Sequence, residues 1–138
     1  MMEAKVFEAA GRRYEVAQAS ALEQDELLTI LSKRLILSSL AAKKEQSELN
    51  ENSVFVMLIA LPSEEKAKVV RILTGKAFEV GSSLPVSVKD FQGKIVAWNK
   101  FLAKLIIWNL ADFFELLSSV DLEDALRAKP KSQEAGAP

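Results

Sequence analysis

KIVAWNKFLAKLIIWNLADFFELLSSV, Lys94 to Val120, reads as one long helix with more apolar surface than a single core face can use. At about 100° per residue, Ile95, Trp98, Phe101, Leu102, Leu105, Ile106, Phe113 and Leu116 share one face. Val96, Ala103, Ile107, Leu110 and Phe114 make a second stripe beside it, and only Lys100, Lys104, Ala111, Glu115 and Ser118 form a solvated strip. A helix apolar over most of its circumference must be wrapped by its own domain, by another copy or by a partner's helix. The second stripe, with Trp108, is therefore the candidate partner-binding surface: Val96, Ala103, Ile107, Trp108, Leu110 and Phe114. Trp98, Phe101 and Phe113 on the main face are expected in the core.

Upstream, Lys5 to Ala10 and Arg13 to Gln18 flank Gly11, which predicts a β-hairpin whose turn is centred on Gly11 and Arg12. Ser20 and Glu23 have capping-box spacing and start a helix over about Ala21 to Lys44, with Leu27, Ile30, Leu31 and Leu35 inward. Ile36, Leu37 and Leu40 drift onto other faces, so this helix too carries surplus apolar surface. After a polar loop over Glu45 to Ser53, the run VFVMLIAL, Val54 to Leu61, fits a buried strand or a short buried helix, and helix is the expectation. Pro62 ends it. Ser63 is placed as the cap of a helix over Ser63 to Thr74, ended by Gly75, with Val69, Val70, Ile72 and Leu73 inward.

Lys76 to Val80 and Pro85 to Lys89 read as two strands around Gly81, Ser82 and Ser83. KAFEVG at Lys76 echoes KVFEAAG at Lys5, and LAKLII at Leu102 echoes LSKRLI at Leu31. A duplicated hairpin-plus-helix unit would allow one four-stranded sheet. The expected class is α+β, mostly helical: one or two small β-hairpins, which could join in one small antiparallel sheet, with about four to five helices. Residues 1–129 are expected as a single globular domain, with a short helix from Asp121 to about Lys129, and 130–138 as a disordered tail.

Composition closes off much chemistry. The 138 residues contain no cysteine and no histidine, so thiol nucleophiles, imidazole bases and the usual zinc, haem or iron–sulfur ligands are absent. Eighteen Lys and Arg against nineteen Asp and Glu give a net charge of −1 with no basic cluster, arguing against a nucleic-acid partner. The N-terminal residues lack signal-peptide character, and Lys100, Lys104, Asp112 and Glu115 would be costly in lipid; a cytoplasmic protein with no membrane partner is expected. Gly75-Lys76 lacks the rest of a phosphate loop. Glu23, Asp25, Glu26, Glu64 and Glu65 lie in first turns, where capping and the helix dipole account for them. No catalytic residue, metal site or cofactor is read, and an enzyme is not expected. Asn109 and Asp112 intrude on the apolar sector: they could bond to a hairpin backbone, reach another subunit or sit at a wet edge.

The order of these pieces resembles bacteriophage tail assembly chaperones. The resembling stretches are FEAAGRRYEVAQAS with its following helix, ALPSEEKAKVVRIL, and VSVKDFQGKIVAWNKFLAKLIIWNLADFFELL with its run Asn109, Asp112, Phe113 and Phe114. They span Phe7 to about Leu117. The resemblance implies a non-catalytic role in host cytoplasm, binding the helical tape measure protein and keeping it soluble until tail tube protein polymerises around it. It also implies that a frameshifted longer form could exist. Surplus apolar stripes suit a client helix in a groove and equally suit a homo-oligomer using the same surface. A structural tail or baseplate subunit and an unrelated cytoplasmic adaptor are the alternatives.

Overall fold

The computed structural model describes residues 3–119. Along them run β1 (Ala4–Ala9), β2 (Arg12–Ala17), α1 (Ala21–Lys44), α2 (Glu51–Ile59), α3 (Ser63–Thr74), β3 (Ala77–Glu79), a 3₁₀ turn (Val88–Phe91), α4 (Ile95–Asn109) and α5 (Ala111–Ser118). The described residues thus form an α+β fold, mostly helical, with one three-stranded antiparallel sheet in the order β1-β2-β3. The expected short helix after Asp121 and the tail after Pro130 lie outside the described residues.

The hairpin closes one residue earlier than the sequence predicts. Ala9 pairs with Arg12, so the turn is Ala10-Gly11, and both have positive φ, 53° and 78°. That is a two-residue turn whose twist matches the flanking strands, and glycine provides only its second left-handed position. The shift fixes the register Phe7↔Tyr14 and Lys5↔Val16, which puts Phe7, Ala9, Tyr14 and Val16 on the buried face. α1 begins as expected: Ser20 accepts from the Glu23 amide and the Glu23 side chain reciprocates at the Ser20 amide. Leu27, Leu31 and Leu35 are buried beneath it, while Leu37 is exposed.

VFVMLIAL is helical through Ile59, with Ala60 and Leu61 past the helix end, and the helix starts at Glu51, because Asn50 accepts from the Ser53 amide and caps a turn earlier. At the next helix Pro62 takes the cap position, and Ser63 is the first helical residue without a side-chain cap bond. Val69, Ile72 and Leu73 are buried and Val70 partly so.

The second hairpin is vestigial. β3 covers three residues and pairs with β2, and only Phe78↔Pro85 bridges back, so the sheet has three strands and not the four that a duplicated hairpin would give. Pro85 brings no amide to a ladder, and Ser87 with Asp90 forms a capping box that turns Val88–Phe91 into a 3₁₀ turn. The echo between the halves is therefore not an echo of architecture.

The 94–120 helix is broken at Leu110, whose φ of −115° and ψ of 32° separate α4 from α5. No proline or glycine causes this. The Asn109 side chain holds both partners that define the corner: its Nδ2 donates to the Leu105 carbonyl, and its Oδ1 accepts from the Ala19 amide at 2.9 Å. α5 can then fold against α1, where Ser39 donates to the Leu117 carbonyl and Lys43 to the Ser119 carbonyl. Asp112 is exposed and accepts from the neighbouring Phe113 amide.

Candidate functional site

Aromatic side chains join the sheet to α4 and decide which of its faces remains outside. Phe7 meets Trp108 edge-on at 5.3 Å between ring centroids, Phe101 lies 5.5 Å from Tyr14, and Phe91 lies 5.1 Å from Trp98. This chain buries Trp98 and Phe101 and leaves Trp108 partly open at its end. Ile95 and Leu116, placed by periodicity on the same inner face, are exposed instead: Ile95 is the first residue of α4, and after the break at Leu110 it is Leu117, not Leu116, that α5 turns inward.

The second stripe is divided by α2. α2 lies along α4, presenting Val54, Met57 and Leu58 to the core. Ala103 is 0 % exposed and Leu110 3 % exposed, so these two candidate partner-binding residues are core residues. Periodicity could identify their stripe but could not tell that a nine-residue helix of the same chain covers it. Ile107 and Phe114 are half-buried against the core. Val96 is 58 % exposed. Of the six candidates, only Ile107 and Trp108 line a common groove; Val96 stands toward the opposite end of α4.

Two residues not anticipated from sequence join Val96. Glu51, first in α2, lines a groove with Lys104, Ile107 and Ala111, at the C-terminal end of α4, so the two helices run antiparallel. Eight residues further on, about 12 Å at the helical rise, Ile59 comes level with the start of α4, within about one turn of Val96. Ile59 is 55 % exposed and Val56, one turn before it, 58 %. Val56 and Ile59 on α2 and Val96 on α4 are thus solvated aliphatic side chains on two helices that pack together. Their signal lay in VFVMLIAL itself: a run apolar at every position cannot bury all of them once it is helical.

Polar groups beside the seam are structural. Lys66 of α3 donates to Asn99 Oδ1, whose Nδ2 donates to the Ile95 carbonyl, anchoring the first turns of α4. Desolvation lowers the Lys66 ammonium below its usual 10.5. Arg34 and Glu65, at 2.7 Å, tie α1 to α3. Among the described residues no group of three or more Asp or Glu is placed to hold a metal ion, and no helix is long and apolar enough to cross a membrane.

No family model matches the chain, and neither the curated proteins nor the solved structures give a match.

Proposed function

We propose that this chain is a non-catalytic protein-binding module that takes an amphipathic helix of a client along the α2–α4 seam. On the sequence resemblance, the client is a tape measure protein and the chain a phage tail assembly chaperone acting in host cytoplasm. The observation that carries the reading is the exposure of three aliphatic side chains, Val56 and Ile59 on α2 and Val96 on α4, on two helices packed together. A client helix with apolar residues three and four apart would remove those side chains from water while keeping its own backbone bonds internal. Lys100 and Lys104, exposed on the adjoining flank of α4, would favour a client with acidic residues beside its apolar stripe.

Coexpression with a phage tape measure protein tests the reading. The wild-type chain should raise the soluble fraction of the client severalfold. Ile59→Asp with Val96→Asp, both exposed positions, should keep the circular dichroism and thermal transition while weakening client binding at least tenfold, about 1.4 kcal/mol. A client that stays insoluble with the wild-type chain, or a double variant that works equally well, overturns the assignment.

A further inference from the structure

Among the described residues β1 has a strand on one side only, so it is an open edge of the sheet. Ala17 donates to the Lys76 carbonyl and Val80 donates to the Arg13 carbonyl, so these two β2 residues face β3. Antiparallel alternation then gives Arg12, Tyr14 and Val16 to β1, where they pair with Ala9, Phe7 and Lys5. The backbone groups of Ala4, Val6 and Glu8 consequently point away from the sheet. Gln18 donating to the Glu3 carbonyl continues the same alternation. Open edges are commonly blunted by a proline, a bulge, charged side chains or a covering element, and of these β1 carries the charges Lys5 and Glu8. β1 has no proline, and its register with β2 is unbroken over six residues.

Beside this edge runs a groove of about 530 Å³. One wall is β1 from Lys5 to Glu8; the other includes Lys104, Ile107 and Trp108 of α4, with Glu51 of α2. Four consecutive strand residues point alternately to both faces of the sheet, so a cavity touching all four follows the edge itself. We propose that this edge accepts an extended segment of a partner protein as a fourth antiparallel strand, with its apolar side chains against Ile107 and Trp108. The charges specify the segment: a basic residue opposite Glu8, then an acidic residue three positions later opposite Lys5. A second copy of β1 cannot supply that match. A two-fold antiparallel register pairs even with even positions, which leaves Glu8 opposite Ala4, Val6 or another Glu8.

The groove adjoins the Glu51 end of the helix-binding seam and shares Lys104 with it, so its test uses the full chain and variants at the other end of the seam. The probe is the peptide acetyl-Thr-Lys-Val-Thr-Glu-Thr-amide, titrated into ¹⁵N-labelled protein. Shifts are expected at the Val6 and Glu8 amides and the Trp108 indole, with at least tenfold weaker binding for the peptide in which Lys and Glu are exchanged. Val6→Pro, which removes an outward amide not used by β2, should abolish binding with circular dichroism unchanged, whereas Ile59→Asp with Val96→Asp should leave it intact. N-methylation of the peptide amides that face the edge should likewise abolish binding, and decides the matter should Val6→Pro unfold. The proposal is overturned by absence of shifts at millimolar peptide or by undiminished binding of the N-methylated peptide. Shifts confined to the α2–α4 seam, or β1 shifts that follow protein concentration without peptide and so report self-pairing, overturn it equally.

Discussion

Asn109 shows how one polar side chain sets the shape of the molecule. It is buried, and its two amide atoms are divided between the Leu105 carbonyl and the Ala19 amide, ninety residues away in sequence. Asn109→Ala would leave the Ala19 amide without its acceptor and open space at the α4–α5 corner, at a cost of about 2 kcal/mol, read as a lower urea midpoint. Tyr14 is the opposite case. Its ring stacks in the aromatic chain, but among the described residues its buried hydroxyl makes no hydrogen bond of good geometry, and burial raises the phenol above 10.0, with the nearby Arg12 guanidinium opposing the shift. Above about pH 10 the unfolded chain loses this proton first, so the contribution of Tyr14 to stability falls as pH rises. Lys66 runs the other way: between its lowered folded value and 10.5 the unfolded chain binds more protons, and stability rises with pH. Denaturant midpoints measured from pH 8 to 11 should show Tyr14→Phe nearly neutral at pH 8 and protected from the alkaline loss.

Element by element, what could be read from sequence was what local chemistry decides. The Ser20–Glu23 box starts α1 where the spacing predicts, and Pro62 separates α2 from α3, because caps and missing amides act within a turn of chain. The hairpin was legible but its turn was misplaced by one residue, since Ala10 occupies a left-handed position that alanine seldom takes. Ala10→Asn would restore an Asn-Gly turn and should stabilise the fold by about 0.5–1 kcal/mol, seen as a higher thermal midpoint with an unchanged NMR pattern at Phe7 and Tyr14. The break at Leu110 was not legible. Nothing between Lys94 and Val120 is a helix breaker, and the bond that bends the chain comes from the β2–α1 junction.

At the scale of the whole molecule, the surplus apolar surface is partly consumed and partly left over. Burial of Ala103 and Leu110 turns two of the six candidate binding residues into core, while Val96 stays in water, as do Ile95 and Leu116 of the same segment and Val56 and Ile59 of α2. Ile107 and Phe114 are half-buried, so acidic residues there would test the core before any interface, whereas Ile59 and Val96 can be changed without disturbing packing. The sequence by itself determined the class of fold, the start of α1, the helical character of the apolar runs and the lack of thiol and imidazole chemistry, all set by composition or by neighbours within a few residues. Only the tertiary structure decided which apolar stripe closes on which, where the long helix bends and which edge of the sheet stays open. Those outcomes depend on contacts between residues tens of positions apart, and hydrophobic attraction, being non-directional, leaves their pairing to shape and to a few buried hydrogen bonds.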